Sequence, residues 1–403
     1  MNRKKPLFGL GRNVTVAGWV SFFMDVSSEM IYPLVPLFLA SVLGVNKSLI
    51  GLIEGIAEST ASLLKVFSGW FSDRIGNRKW LMAAGYGIST ISRPFVALAA
   101  GWHPVMASRF IDRFGKGVRT APRDAIIAES TDMNSMGRAF GFHRSMDTLG
   151  AVAGPALAFW LLSITSNNYR VIFWLSMIPA AIAVLLIVCF ITEKKRAIPS
   201  ASERPKLSWR LFDWRFRFFV IIAAVFAIGN SSDVFLILRA QQLGITSAMI
   251  PIVYLMFNLV YALSSFPLGI LADRFGKKRM IWIGFVLFAA LYFGFGKATD
   301  TLSIWFLFGC YGLFMGLTEG IQKAYLTSII PSEFKATAFG LYNTVVGIAA
   351  FPASFIAGWL WDHVSPSSTF YFGAGTAITA AILFALMAWA LPQAATKPDT
   401  YPS

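Results

Sequence analysis

Long apolar runs recur along almost the whole chain, and each is about as long as a bilayer-spanning helix. Such a helix needs about 20 apolar residues. The runs fall at 14–43, 49–71, 80–100, 105–128, 138–163, 170–191, 216–240, 248–270, 280–297, 302–328, 337–361 and 369–391. A soluble core helix can imitate one run of this length, but not twelve in succession. The pattern therefore predicts an all-α membrane protein with twelve spans.

A polar stretch separates the sixth run from the seventh. It extends from Glu193 to Asp213 and contains two prolines and many charges. This change in composition is typical of a linker between two domains. We predict an N-terminal six-helix bundle over residues 1–192, a cytoplasmic linker over 193–213 and a C-terminal six-helix bundle over 214–403.

Composition supports a membrane protein and excludes several other classes. Hydrophobic residues make up 56% of the 403 residues and charged residues only 14%, with 37 Phe and 13 Trp. Soluble domains have about 25% charged residues. These values exclude a soluble enzyme, a disordered chain and a fibre. The sequence has no phosphate-binding loop and no Cys/His metal spacing, so we expect no enzyme activity, no cofactor and no metal.

The formal charge of +15 comes from bases that collect in a few loops. Of 35 Lys and Arg residues, 22 lie in the segments on the N-terminal side of the membrane and only three lie in the opposite loops. The positive-inside rule then predicts that both termini are cytoplasmic. This distribution explains the charge without nucleic acid. We interpret the first apolar run as a retained span rather than a signal peptide. The remaining ten bases lie within the spans.

The two halves of the chain repeat a loop sequence at an offset of 200 residues. Residues 69–79 read GWFSDRIGNRK and residues 269–279 read GILADRFGKKR. A shorter repeat pairs 139–141 with 338–340, both AFG. Repeats in corresponding places predict two similar bundles related by a pseudo-two-fold axis.

This repeated loop resembles the signature of the major facilitator superfamily. The resemblance implies two six-helix bundles around a cavity that opens alternately to each side of the membrane. In that family the loop aspartate and its basic partners latch the cytoplasmic side. If the loop charges only set the orientation in the membrane, this would explain the bases. It would not explain an aspartate that recurs at the same position of both loops. By position the latch residues are Asp73, Arg74, Arg78, Asp273 and Arg274.

The fifth run carries a second pattern, with Gly150, Gly154 and Pro155. It is similar to the antiporter motif of the same family, which is commoner in exporters than in importers, although Ala158 replaces the last glycine. The alternative is a close helix-packing face with a proline bend, which many membrane bundles contain.

Charged residues within the spans are distributed unequally between the halves. Such residues are rare in membranes and usually have a function or a partner. The N-terminal half holds Asp25, Glu29, Glu54, Glu58, Lys65, Arg93, Arg109, Asp112, Arg113, Lys116, Arg119, Arg123, Asp124, Arg144 and Asp147, and the C-terminal half Asp233, Arg239, Glu319 and Lys323. The asymmetry predicts that coupling and recognition of substrate charge lie mainly on the N-terminal bundle.

The fourth run has the densest charge. Its five bases fall within about 120° of one helix face and extend over about 21 Å. Such a stripe cannot face lipid, so it must line water, meet acids, or both. Arginine stripes bind carboxylates and phosphates. Buried ion pairs that only hold the bundle together are the alternative. The predicted substrate-binding residues are Glu54, Glu58, Arg109, Asp112, Arg113, Lys116, Arg119, Asn258 and Asn343.

Proton coupling requires a buried carboxyl group that binds and releases a proton. We predict Asp25, Glu29 and Asp147 for this role. The first two precede prolines that can bend the helix, in a stretch similar to the first-span motif of drug–proton antiporters. His143 could titrate as well, but its place at a cytoplasmic helix start predicts a surface residue.

The sequence thus predicts a proton-coupled secondary transporter in a cell membrane, most simply a bacterial inner membrane. The first prediction for its direction is export of a small amphipathic or anionic compound. The alternative is proton-coupled uptake of a small organic anion. A non-transporting scaffold or sensor is the alternative of another class. Expected partners are a small solute, protons and the bilayer, and a monomer is expected to suffice.

Overall fold

The structure of the chain is a computed structural model that describes residues 10–75, 77–131, 136–193, 212–330 and 335–390. Within these ranges it does not describe the side chains at positions 65–67, 69–75, 136–138, 266, 273, 319–320, 323–324, 327–328, 335–337 and 389–390. All regular secondary structure in the described ranges is helical.

Eight α-helices and one π-helical turn form the described part of the N-terminal half. They are α1 (Arg12–Ile31), α2 (Val35–Leu37), a π-helical turn (Phe38–Val42), α3 (Lys47–Ile75), α4 (Arg78–Ala97), α5 (Trp102–Glu129), α6 (Met136–Ile164), α7 (Tyr169–Leu175) and α8 (Met177–Phe190).

Seven α-helices and a second π-helical turn form the described part of the C-terminal half. They are α9 (Trp214–Gly229), α10 (Val234–Gln242), α11 (Ile250–Phe275), α12 (Lys277–Lys297), α13 (Thr301–Ser328), α14 (Lys335–His363), α15 (Pro366–Ala385) and a π-helical turn (Leu386–Ala390).

Each predicted apolar run coincides with a helix or with a pair of consecutive helices, so the all-α fold with twelve spans is confirmed. Eight helical segments of the described residues are long and apolar enough to cross a membrane. The spans formed by α3, α4, α5 and α11 do not meet that criterion as whole helices. In α3 and α5 the reason is the charge that the sequence places there. The linker lies mostly outside the described residues, and the domain boundaries stay a prediction.

The same helix pairs pack together in both halves. Helix α1 packs on α6 as α9 packs on α14, α3 packs on α5 as α11 packs on α13, and α4 packs on α8 as α12 packs on α15. Corresponding spans therefore occupy corresponding places in the two bundles. This repetition agrees with the internal repeat of the sequence.

The first span of each half is broken near its middle. Helix α1 ends at Ile31, and the chain turns before α2 begins, at a place where Pro33 has no N–H to donate. In the seventh span α9 ends at Gly229 and α10 begins at Val234. Broken helices at corresponding positions of two repeats are typical of transporter binding sites.

Among the described residues, the most extensive contacts between the two halves are those of α3 with α14, α6 with α11, and α2 with α10. Along the first pair the backbones approach very closely. An added methyl group at Gly51 would collide with the backbone oxygen of Ser354, and one at Gly358 with that of Lys47. Small residues here allow helices of different halves to pack without a gap.

We call the end of the bundle that contains the start of α3 and the end of α14 the outer end, following the predicted orientation. The carboxylate of Asp362 accepts hydrogen bonds from the backbone N–H groups of Lys47 at 3.2 Å and Ser48 at 2.6 Å, and from the Ser48 hydroxyl at 2.7 Å. The Gln241 amide also donates to the Ser41 hydroxyl at 2.9 Å. These contacts join the halves at the outer end.

Candidate functional site

A polar cavity of about 180 Å³ lies between the two halves. Its lining comes from α1 and the turn after it, α3, α4 and α5, with one residue from α11. The residues that line it are Asp25, Ser28, Glu29, Ile31, Tyr32, Glu58, Arg93, Arg109, Asp112, Arg113, Lys116, Arg119 and Tyr254. All of these charged lining residues come from the N-terminal half, in line with the asymmetry of the sequence.

The bases of α5 face the interior of the bundle, and acids of the same half neutralise most of them. Arg109 forms a two-pronged ion pair with Glu54, with its Nε atom 2.8 Å from one carboxylate oxygen. Arg113 pairs with Glu58 at 2.7 Å. Glu54 is only 1% exposed and lies behind its arginine rather than on the cavity surface. The stripe thus both meets acids and lines a cavity.

Two further arginines of the cavity have other partners. Arg93 lies 3.4 Å from Asp112 and donates to the Ser28 hydroxyl at 3.0 Å. Arg119 donates to the Ser89 hydroxyl at 2.9 Å and lies over the ring of Tyr86, 4.4 Å from its centre. Both are therefore held by α1 or α4, and neither has a free guanidinium group.

Lys116 differs from these arginines. Its ammonium group makes no ion pair and no hydrogen bond with any other part of the chain that the structure describes. It lies within electrostatic range of Asp25, Glu29 and Glu58. The cavity therefore contains one base whose charge the described residues do not pair.

Asp25 and Glu29 lie one turn apart on α1, and both are half-buried. The Oε2 atom of Glu29 is buried and has no hydrogen-bond partner among the described residues. The charges around Glu29 are Lys116, Arg113 and Arg109 of α5 and Asp233 at the start of α10. Those around Asp25 are Asp147 of α6 and Lys116 and Arg119 of α5, besides Glu29 itself. Two carboxyl groups thus line the cavity without a direct basic partner.

The glycines of the antiporter-like motif lie against the part of α1 that carries Asp25 and Glu29. An added methyl group at Gly150 would lie 2.9 Å from the Cβ atom of Asp25, and one at Gly154 would lie 2.8 Å from that of Glu29. Pro155 is buried in the same stretch of α6. The motif is therefore a close-packing face, and the segment that it packs against is the one that carries the predicted coupling residues.

His143 is buried, and the surface position predicted for it is wrong. Its side chain lies 2.7 Å from the Ser21 hydroxyl and 3.7 Å from a carboxylate oxygen of Asp147, and the residue is 4% exposed. The other oxygen of Asp147 is buried without a hydrogen-bond partner among the described residues. The prediction failed because α6 stays packed on α1 nearly to its first turn, where Ala139 is also buried against α1.

The C-terminal half contributes aromatic and hydroxyl groups. The rings of Tyr32 and Tyr254 lie 5.5 Å apart across the boundary between the halves, and neither residue was predicted from the sequence to belong to the site. Tyr32 could have been found from the sequence, because it lies directly before Pro33 at a predicted helix bend. Asp233 accepts a hydrogen bond from Tyr311 at 2.8 Å. Neither predicted asparagine lines the cavity, since Asn258 bonds to its own helix and Asn343 is exposed.

The predicted latch residues are described only in part. Arg78 forms an ion pair with Glu129 at the end of α5, and its backbone N–H donates to Glu193 at 2.7 Å. These contacts lie within the N-terminal half. Arg274 is exposed and lies near the ring of Phe275. The side chains of Asp73, Arg74 and Asp273 lie outside the described residues.

A second depression lies on the surface between α12 and α15 and has a volume of about 910 Å³. Its lining is apolar from Trp282 to Phe293 on α12 and from Ala374 to Ala385 on α15. It has no charged lining residue and is remote from the carboxyl groups of α1. An apolar groove on the outside of a membrane bundle is a surface for lipid chains, so it is not the candidate site.

Comparison with known proteins agrees with this architecture. The sequence profile of the Major Facilitator Superfamily matches residues 17–239 and 218–403. An uncharacterised MFS-type transporter of Methanocaldococcus jannaschii is 36% identical over 93% of this chain and 94% of its own length. A probable 4-methylmuconolactone transporter of Cupriavidus pinatubonensis is 26% identical over 83% of this chain and 79% of its own length. The crystal structure of a POT family transporter is 13% identical, with a TM-score of 0.80 over 95% of this chain and 97% of that one.

Proposed function

The chain belongs to the Major Facilitator Superfamily, and from this premise we propose that it is a proton-coupled secondary transporter of a small organic solute. Family membership makes it a multi-pass membrane transporter rather than an enzyme, and disfavours a non-transporting scaffold. The relative named as a probable 4-methylmuconolactone transporter supports a small organic solute. Protons as the coupling ion are our own inference.

The observation that carries this proposal is the pair of carboxyl groups in the cavity between the halves. Asp25 and Glu29 line a site that the moving halves share, and no described base pairs with either of them directly. A carboxyl group in such a site exchanges a proton more readily than one fixed by a guanidinium group. Binding of a charged solute beside it changes which protonation state is favoured, and this change couples the two fluxes.

Asp147 and His143 offer the proton a path towards the start of α6. Asp147 lies within electrostatic range of Asp25, and His143 follows it at 3.7 Å. We assign these two residues to proton transfer between the cavity and the predicted cytoplasmic end. A histidine suits this role because its ring nitrogens can accept and donate a proton in one step.

For the direction of transport we favour export in exchange for protons. The support is the antiporter-like motif, whose Gly150 and Gly154 pack against the stretch of α1 that carries Asp25 and Glu29. Uptake of a small organic anion with protons is the second candidate. It is supported by the ammonium group of Lys116, which has no ion-pair partner among the described residues and would attract an anion.

The test uses the purified full chain in liposomes with an imposed pH gradient and a panel of labelled organic acids, amines and amino acids. We expect gradient-driven movement of at least one solute, and the direction distinguishes export from uptake. Asp25→Asn and Glu29→Gln should abolish gradient-driven accumulation but keep solute exchange without a gradient. Asp300→Asn is the matched control, because Asp300 is exposed and caps α13 at the outer end. Full gradient-driven transport in both cavity variants would refute the proposal.

A further inference from the structure

We propose that the solute is a small zwitterion, a molecule with one amine and one acid group. This inference rests on the proposed function and names the substrate class of the same site. It differs from the amphipathic or anionic solute that the sequence suggested. The reason lies in which charges of the cavity the protein itself neutralises.

The basic stripe of α5 is not free to select anions. Arg109 and Arg113 have carboxylate partners from α3, and Arg119 is held by a hydroxyl and an aromatic ring. An anionic solute could take Arg109 only by breaking its pair with Glu54, which leaves a buried carboxylate uncompensated. Such a loss is strongly unfavourable. The arginines of this basic stripe therefore mainly hold the helices around the cavity together.

The charges that remain have both signs. Lys116 provides an ammonium group without an ion-pair partner, and Glu29 provides a buried oxygen without a hydrogen-bond partner, each among the described residues. The two lie within electrostatic range of each other but form no ion pair. A polar group that is buried without a partner is unfavourable. A solute with an acid group for Lys116 and an amine for Glu29 satisfies both groups together.

The size of the cavity limits the solute as well. Its volume of about 180 Å³ is below the about 300–1,000 Å³ of sites for drug-sized ligands. The polar groups line most of its surface, and Tyr32 and Tyr254 close one side with aromatic rings. A short-chain amino acid fits these limits, and a large amphipathic drug does not.

This arrangement also explains how solute and proton would be linked. The amine of the solute and the proton both bind at Glu29, so they compete for one carboxylate. Release of one favours binding of the other, which is the requirement for exchange. The acid group held by Lys116 adds affinity and selectivity without taking part in this competition.

The experiment compares solutes of one length that differ only in charge. 4-Aminobutyrate, butyrate and butylamine are titrated into the purified full chain by calorimetry, together with glycine, 5-aminovalerate and 6-aminohexanoate to vary the distance between the charged groups. We expect at least one zwitterion to bind about tenfold more tightly than the acid and the amine of equal length. An acid or an amine that binds as tightly as its zwitterion, or the absence of binding by all zwitterions, overturns the inference.

Two variants locate the charged contacts. Lys116→Gln should reduce zwitterion affinity to that of the amine while leaving amine affinity unchanged, and Glu29→Gln should reduce it to that of the acid. Lys297→Gln is the matched control, since that lysine lies at the end of α12 near Phe293 and outside the cavity. Unchanged zwitterion binding in both cavity variants also overturns the inference. Gradient-driven transport of butyrate or butylamine instead would overturn the substrate class and leave the proposed function intact.

Discussion

Single residues in this cavity fall into groups with different roles. Glu54 and Arg109 are both buried and hold α3 to α5 through a two-pronged contact. Asp25, Glu29 and Lys116 face the same cavity and make no such contact with the part of the chain that the structure describes. We assign the first group to the frame of the site and the second to the solute and the proton.

The frame role of Glu54 and Arg109 leads to a stability prediction. Glu54→Leu and Arg109→Leu should each lower the free energy of unfolding by about 3–5 kcal/mol, because each leaves a buried charge without its partner. The double variant should recover most of this loss, since an apolar pair can replace a buried ion pair. Denaturant titration in detergent measures all three variants.

Glu129→Leu is the control for that cycle. Its ion pair with Arg78 lies at a more exposed place, with Glu129 41% exposed, so its loss should change stability by less than about 1 kcal/mol. Single variants at Glu54 and Arg109 that are as stable as this control would contradict the frame role.

At the residue scale, the charged residues of the cavity could be selected from the sequence more reliably than their ion-pair partners. Charges within apolar runs are rare, so the position of Lys116 or Glu29 in the chain was sufficient to select it. The pairing of Glu54 with Arg109 depends on the rotation of α3 relative to α5, and no local pattern encodes that rotation. Tyr32 and Tyr254 were missed because tyrosine is common near the ends of membrane helices. His143 was misplaced because no local pattern shows how far α6 stays packed on α1.

At the scale of helices, the contact of α6 with α1 shapes the site. Gly150 and Gly154 let α6 approach the backbone of α1 where Asp25 and Glu29 lie. The antiporter-like motif and the coupling residues therefore belong to one interface. The approximate helix bounds could be predicted from the lengths of the apolar runs. The bend in the first span could be predicted from Pro33. The break between α9 and α10 has no proline and could not be predicted in this way.

This interface predicts the effect of adding side-chain volume. Gly154→Val should lower the free energy of unfolding by about 1–3 kcal/mol, because α6 must move away from α1 to make room. It should also weaken proton-driven transport, because Glu29 is displaced. Gly141→Val on the same helix is the control, since an added methyl group there meets nothing within 4 Å. Equal stability of the two variants in thermal unfolding would rule out the proposed close packing.

At the scale of the whole molecule, the hydrogen bonds of Asp362 join the two halves at the outer end. They bind the carboxylate of one half to the helix start of the other, where the helix dipole favours negative charge. We expect access to the cavity from the outer end to require these bonds to break. The repeated helix pairs and the six-plus-six arrangement were predictable from the sequence, but this cross-half cap was not, because it joins residues more than 300 positions apart.

Asp362→Ala should therefore shift the molecule towards a state that is open at the outer end. A helix cap worth about 1 kcal/mol changes the ratio of two states about fivefold. Spin labels at Val42 and Val364, with the native cysteines replaced by serine, report the distance between the halves, and a longer distance should become more populated. Asp300→Ala is the control, because Asp300 caps α13 within one half. An unchanged distance distribution in Asp362→Ala would show that this cap does not hold the outer end closed.

The central claim is that solute and proton share the carboxyl groups of α1, and solute-induced proton movement tests it most directly. Liposomes that contain the purified chain and a trapped pH-sensitive dye receive the tightest-binding zwitterion of the panel, with no pH gradient imposed. We expect the solute to produce a change in internal pH with the native chain and with Asp300→Asn. At a solute concentration that saturates both variants, Asp25→Asn and Glu29→Gln should still take up the solute, but without any change in pH. The account would be contradicted if the native chain took up the solute without proton movement. It would also be contradicted if both cavity variants moved as many protons as the native chain.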